Sequence, residues 1–336
     1  MVKFLVIRFS SIGDIVLTSP VVRGLHRQVD HSEVHFLTKP AYAELLRANP
    51  HISKIHVLSE NHGETFAALK KEGFDYVIDL QNNIRSLLVK RSLKKMYFTV
   101  HKLNFKKWLL VNLHINRLPH KHIVDRYLKT VELFDVENDG DGLDYFIPEE
   151  KQVHLHTLPE AFQQGYIALG IGAKHNTKRL PPDRWSELAG MLQKPVVILG
   201  GPEDMANGEE IKKSLPEKTI LNGCGKWSIH QSASIIQQAN GIITHDTGMM
   251  HIAAAFKKKI ITIWGNTVPR FGMYAYEPGA GSIDFEVNGL RCRPCSKLGK
   301  KRCPKKHFKC MMEQDTVTIA AAANRLFSLT VPQTDR

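Results

Sequence analysis

Short β-rich runs alternate with helical runs along the whole chain, and the alternation stops once and then restarts. In the first half KFLVIRF, EVHFLT, KIHVL, DYVIDL and MYFTV read as strands. Between them VVRGLHRQ, YAELLRA, ETFAALKKEG and IRSLLVKRSL carry helical spacing. The interruption, DVENDGDGLDYFIPEEKQ at residues 135–152, is rich in acids, glycine and turn formers and reads as a linker. Beyond it YIALGIG, PVVILGG, TILNG, GIITHD and KIITIWG are strand candidates. They are separated by the helical runs DRWSELAGML, MANGEEIKKSL, SIHQSASIIQQA and MMHIAAAF, and TVTIAAAANRLFSL closes the series. Strand–helix alternation of this kind packs as a parallel sheet with helices on both faces. The expected fold is therefore α/β, with two Rossmann-like domains over residues 1–140 and 153–336 whose parallel sheets face a central cleft. A chain of 336 residues accommodates two domains of roughly 150 each.

Composition narrows the function classes. With 43% hydrophobic and 24% charged residues the chain can bury real cores. No apolar run approaches the ~20 residues of a membrane span. KFLVIRF is too short for a signal peptide and leads directly into a patterned fold, so a cytoplasmic location is expected. The net charge of +13 favours an acidic partner. It is concentrated: Lys90 to Lys129 carry eleven lysines or arginines against one acid, Asp125. Within that stretch FKKWLLVNLHI sets Trp108 and several leucines beside lysines, which suits either a core helix with a charged face or docking on an anionic membrane. Little aromatic interleaving and no recognised signature argue against nucleic acid.

Chemistry-bearing residues fall where strands run into helices. RFSSIGD, after the first strand, has one glycine where a dinucleotide fingerprint has three, and its turn ends in Asp14. That carboxylate either caps its own helix or accepts a proton from a hydroxyl. Ser19-Pro20 fits a cap and first position, so the helix is expected to start or kink there. In GIITHDTGMMHIAAA a buried strand ends at His245-Asp246, and Thr247-Gly248 open a helix whose free N–H groups suit a diphosphate. His251 follows one turn on from Thr247. Capping by Asp246 or Thr247 is the bland account of the same residues. GAKHNTKRLPPDRW places Lys174, Lys178 and Arg179 in a loop after another strand, where cations complement an anion site. LGGPEDMANGEE adds Glu203 and Asp204, and a carboxylate there can hold ribose hydroxyls. No G-x-G-x-x-G follows any strand, which disfavours a dehydrogenase.

Taken together, RFSSIGDIVLTSPVVRGL, TKRLPPDRW and HDTGMMHIAAA, in this order and spacing, resemble glycosyltransferase family 9, the bacterial heptosyltransferases. The resemblance implies a GT-B fold with the acceptor bound by the first domain and the nucleotide sugar by the second, the terminal helix being free to pack back on the first. It also implies inverting, metal-independent heptose transfer without a cofactor. The donor would be ADP-L-glycero-D-manno-heptose and the acceptor a Kdo or heptose of the lipid A-linked inner core, at the inner face of the cytoplasmic membrane. By motif, Asp14 matches the family's catalytic base, and Lys178 matches the lysine that contacts donor phosphates. Leu180 stands where the family has tryptophan. Asp246, Thr247, Gly248 and His251 match the donor motif, Glu203 is assigned to the donor, and DLQNNIRS makes Gln81 and Arg85 acceptor candidates. Alternatives are a transferase with another nucleotide sugar or acceptor, or a non-catalytic nucleotide- or nucleic-acid-binding protein.

The spacing Cys292-x2-Cys295-x7-Cys303-x6-Cys310 invites a structural zinc reading. Only the first pair has knuckle-like spacing, and reduced or loosely paired thiols are the expectation, with no metal assigned.

Overall fold

The computed structural model describes residues 1–328. Leu329 of the last expected helix, and the end of the second expected domain, lie outside the described residues. The chain divides into two compact units. One comprises residues 1–104 and 119–148; the other takes in 105–118 and the chain from Glu149 on.

The first unit is built on strands β1 (Val2–Ile7), β2 (Ser32–Thr38), β3 (Lys54–Val57), β4 (Tyr76–Asp79) and β5 (Met96–Thr99). All run parallel in the order β3-β2-β1-β4-β5. Central β1 is apolar at Phe4, Leu5, Val6 and Ile7, none of which is exposed, because helices cover both faces. The helices are α1 (Ile12–Val16), α2 (Ser19–Gln28), the short α3 (Pro40–Ala43), α4 (His62–Lys71), α5 (Ile84–Leu93) and α7 (Ile123–Leu128). Helix α6 (Asn104–Leu113) begins at the unit boundary, and its remaining residues belong with the second unit, where Lys107 Nζ stands 5.6 Å from the Phe271 ring centre.

Helix formation starts within RFSSIGD and does not wait for Ser19-Pro20. It begins at Ile12 with Ser11 as cap, breaks after Val16, and resumes with Thr18 as cap. The Thr18 hydroxyl donates to Ile15 O (2.7 Å) and the Ser19 hydroxyl to Val16 O (2.8 Å), closing the end of α1. Pro20 then occupies the second position of α2, where its missing N–H costs nothing. The expected linker is docked for most of its length. Arg23, 1% exposed on α2, grips Asp139 at 2.6 Å, Asp144 at 2.5 Å and the carbonyl of Gly142 at 2.9 Å.

The second unit has β6 (Ile167–Gly170), β7 (Val196–Leu199), β8 (Ile220–Asn222), β9 (Gly241–His245), β10 (Ile260–Trp264) and β11 (Ile283–Glu286), in the order β11-β10-β9-β6-β7-β8. Every pairing is parallel. Its helices are α8 (Glu160–Gln163), α9 (Pro182–Met191), α10 (Met205–Lys213), α11 (Ile229–Gln238), α12 (Gly248–Ala255), α13 (Lys309–Met312) and α14 (Thr316–Ser328). Strand β11 is absent from the sequence reading because its polar Asp284 and Glu286 mask it. It is an edge strand, and Asp284 there accepts a bond from the indole of Trp264 at 2.9 Å. The terminal helix α14 lies on α9 and β9 of its own unit. Phe327 fills the space over Gly241 so closely that a Cβ there would sit 2.1 Å from its ring.

Candidate functional site

In the first unit the candidate residues gather at the turn from β1 to α1. Asp14 is the third residue of α1 and accepts from the Ser11 N–H and the Ser11 hydroxyl, both at 2.9 Å. The capping role is therefore real, but it uses one carboxylate oxygen. The other lies 2.5 Å from the guanidinium of Arg8, which the sequence reading quoted in RFSSIGD without giving it a role. Arg8 is buried at the end of β1 and also donates to Leu80 O (2.6 Å), the Tyr127 hydroxyl (2.9 Å) and Ser10 O (2.9 Å). Burial pushes the Asp14 carboxyl up, yet Arg8 and the Ser11 donors outweigh it and hold the group below its ordinary value. Asp14 is therefore ionised at neutral pH and retains 20% exposure. It can take a proton.

Gln81 braces this turn: its Oε1 accepts from the Phe9 N–H at 2.8 Å. Its own N–H donates to Asp79, whose carboxylate also takes the Ser86 hydroxyl and the buried Lys90 ammonium at 2.8 Å. Arg85 stands exposed in the first turn of α5, outside this network. The structure thus brings Gln81 to Asp14's turn and leaves Arg85 at the surface.

In the second unit three loops at the C-terminal edge of the sheet converge. Lys178 Nζ donates to Asp246 Oδ2 at 2.6 Å and reaches the Asp246 carbonyl at 3.2 Å. From the end of β10, the Thr267 hydroxyl donates to the same carboxylate oxygen at 2.9 Å. Thr247 caps α12, and its hydroxyl makes no hydrogen bond although it is buried. Gly248 opens the helix, and His251 is buried one turn further on. The helix start therefore offers free N–H groups, a positive dipole end, an uncommitted hydroxyl and an ammonium, which together suit a phosphate.

His245, which the sequence reading passed over as the strand's end, holds the lysine loop in place. Its Nε2 accepts from the Leu180 N–H at 2.9 Å, and Trp185 packs on the ring at 5.3 Å. Burial, with Arg179 nearby, pushes it down to about 3, so it stays neutral. A histidine directly before the Asp-Thr-Gly turn was the available signal. Leu180, where the family has tryptophan, is buried and offers its backbone rather than a ring.

Of the two acids in the third loop, the buried one is Asp204, paired with Arg179 at 2.9 Å and accepting from Gly201 N–H at 2.9 Å. Gly200 is required beside it, since a Cβ there would come within 2.7 Å of the Asp204 Cβ. Glu203 is 64% exposed, 3.8 Å from Arg179. The cysteine loop is tied to the lysine loop through Thr177, which accepts from Lys300 N–H at 2.8 Å and bonds Asn266 at 3.1 Å. No disulfide links Cys292, Cys295, Cys303 and Cys310; Cys292 Sγ is 3.6 Å from His307 Nε2. Burial pushes the Cys310 thiol up to about 12.

Two parallel doubly wound sheets, the second carrying a helix start that suits a phosphate, make up the α/β fold of the GT-B class. The model of glycosyltransferase family 9 (heptosyltransferase) matches residues 63–308, and the chain belongs to that family. The lipooligosaccharide heptosyltransferase 2 of Haemophilus influenzae is 26% identical over 298 residues, 80% of this chain and 85% of the relative. A solved family 9 glycosyl transferase from Veillonella parvula superposes with a TM-score of 0.77, at 21% identity over 97% of both chains. The ADP-heptose lipopolysaccharide heptosyltransferase II of E. coli superposes with a TM-score of 0.73, at 18% identity over 97% of this chain and 98% of its own.

Proposed function

We propose that this chain transfers heptose from ADP-L-glycero-D-manno-heptose to a Kdo or heptose of the lipopolysaccharide inner core, inverting the anomeric centre without a metal. The observation that carries the donor half is the convergence of Lys178, Asp246 and Thr247 at the start of α12. Support for ADP-heptose comes from the name of the E. coli neighbour and for the acceptor class from the name of the H. influenzae relative.

In this reading the donor diphosphate takes the N–H groups of Thr247 and Gly248, with the Thr247 hydroxyl as a further donor. Lys178 moves from sole service of Asp246 to the phosphates and neutralises the charge that builds on the leaving ADP. His251 lies along the same helix, and Glu203, exposed beside Arg179, is the carboxylate for the ribose hydroxyls. Asp14 removes the proton of the acceptor hydroxyl as it attacks the anomeric carbon from the side opposite ADP. Arg8 keeps Asp14 ionised between turnovers, Gln81 sets the backbone of its turn, and Arg85 contributes positive charge toward an anionic acceptor.

Among the described residues no helix is long and apolar enough to cross a membrane. Phe105 and Trp108 are exposed on α6 and stack at 6.3 Å beside Lys106. We assign them to peripheral contact with the anionic inner face of the cytoplasmic membrane, where the acceptor lipid is presented.

The test is a calorimetric titration with ADP, UDP and GDP, followed by turnover with ADP-heptose and a Kdo-lipid A acceptor. Selective ADP binding with heptose transfer is expected. Preference for UDP or GDP would retain a glycosyltransferase and discard the heptose donor, and absence of nucleotide binding would discard the donor site.

A further inference from the structure

Away from the C-terminal strand ends, the first sheet carries a cluster that heptose transfer does not use. His35 in the middle of β2 and His56 on edge strand β3 are 1% and 9% exposed, in a layer otherwise filled by apolar groups such as Phe74. Their parallel register, His35 beside Lys54 and Leu37 beside His56, makes them diagonal neighbours on one face. His35 Nδ1 lies 2.9 Å from His56 Nε2. Glu72, which caps the end of α4, brings a carboxylate oxygen to 4.0 Å from His35 Nδ1. Among the described residues this is the only group of His, Cys, Asp or Glu in which three or more ligand atoms lie within 4.8 Å of one another. The four C-terminal cysteines do not reach that proximity.

We propose that His35, His56 and Glu72 form a structural site for a divalent transition-metal ion of the zinc class. Donor chemistry is the first argument. Two imidazoles and one carboxylate suit Zn²⁺, with water as a fourth ligand reaching in past the partly exposed Glu72. The tautomer is the second. Glu33 Oε1 lies 2.8 Å from His35 Nε2, so that nitrogen carries the proton and the Nδ1 lone pair is turned toward His56. A carboxylate behind a ligating imidazole is the outer arrangement that metal-bound histidines adopt. Lys3 in turn holds Glu33 at 3.2 Å.

Metal–nitrogen bonds of about 2.0–2.1 Å at a tetrahedral centre hold ligand atoms roughly 3.3 Å apart. The two nitrogens therefore open by a few tenths of an ångström, while Glu72, at the end of its helix, moves inward. Its second oxygen is held by Lys54 at 2.6 Å, and that lysine is exposed enough to turn away as the ion enters. A bound ion would join β2, β3 and the end of α4, fastening an edge strand of only four residues. Without the ion the same atoms form a hydrogen-bonded histidine pair. That is the competing account.

The experiment uses the full chain, stripped with chelator, in a C292S/C295S/C303S background, which leaves only the buried thiols of Cys224 and Cys310 and so dismantles the cysteine loop as a source of the signal. Zn²⁺ is titrated calorimetrically and Co²⁺ by absorbance. One equivalent of Zn²⁺ should bind and raise the melting midpoint. Co²⁺ should give visible bands without near-ultraviolet thiolate charge transfer. Glu72→Gln, which leaves the histidine pair intact, should weaken binding at least tenfold, and Glu33→Gln by about 10–100-fold. Glu33 is partly exposed at the surface, so its variant keeps the test alive if E72Q fails to fold. Absence of binding in this background overturns the proposal. So does binding that neither E72Q nor E33Q weakens.

Discussion

If Asp14 is the base proposed above, Asp14→Asn should separate catalysis from binding. Loss of a general base costs typically 10²–10⁴-fold, or about 3–5 kcal/mol of transition-state stabilisation. The structure sets the accompanying cost in stability. Arg8 loses the charge opposite it, but its bonds to Leu80 O, Ser10 O and the Tyr127 hydroxyl remain. The amide oxygen of the introduced asparagine can replace the carboxylate as acceptor for Ser11 N–H or Arg8. Breaking a fully buried pair would cost about 3–5 kcal/mol; Asp14 is one-fifth exposed and partly replaced, so about 1–2 kcal/mol is expected. Such a loss lowers the melting midpoint by only a few degrees and cannot account for a hundredfold fall in turnover. The assay is ADP release with saturating donor and acceptor, run beside calorimetric ADP affinity. D14N should lose at least 100-fold in kcat and keep its ADP Kd within about twofold. Turnover within threefold of wild type would refute the base assignment, and parallel loss of ADP affinity would show that the substitution acts on the donor site. The pH profile gives a second reading. Burial raises the Asp14 carboxyl, but Arg8 and the Ser11 donors hold it below its ordinary value, so the acidic limb of wild-type kcat should lie below about pH 4. Arg8→Met removes the lowering charge while burial remains, so the limb should move upward in pH.

Three further outcomes follow from other residues. Lys178→Ala would remove the proposed charge-assisted contact with the donor phosphates, worth about 1.5–3 kcal/mol, so ADP affinity by calorimetry should fall roughly 10–100-fold. His245, pushed down to about 3, is neutral when folded and must gain a proton when unfolded below about 6.5. Stability should therefore fall as pH drops from about 6.5 towards 3, and urea midpoints of His245→Gln should depend less on pH across that window. Phe105→Ala/Trp108→Ala should reduce sedimentation with anionic vesicles while leaving ADP affinity unchanged, and wild-type sedimentation should weaken at high salt.

How much of this was legible follows from what each element owes to its own residues. Strands buried on both faces, such as β1, β9 and β10, are continuous apolar runs and can be read directly, as can the helix that starts at Gly248 after Asp-Thr-Gly. Edge strand β11 has four residues, Ile283 and Phe285 packing on the core and Asp284 and Glu286 alternating with them on the other face, too short a run to stand out from a loop in sequence. The two caps around Ser19 differ from the sequence reading because hydroxyls at Thr18 and Ser19 turned back to close the preceding helix, a choice that local propensity does not reveal. At the candidate site, Asp14, Lys178, Asp246 and Thr247 lie in motifs that could be read from the sequence. Their supports could not, because Arg8, Tyr127 and His245 act through contacts between distant segments. The same distance hides the histidine cluster: His35 and His56 are 21 positions apart among otherwise ordinary strand residues. Only pairing β2 with β3 in one particular register makes them neighbours. A one-residue slip of that register would turn His56 to the opposite face of the sheet, so retention of metal binding would itself report the pairing.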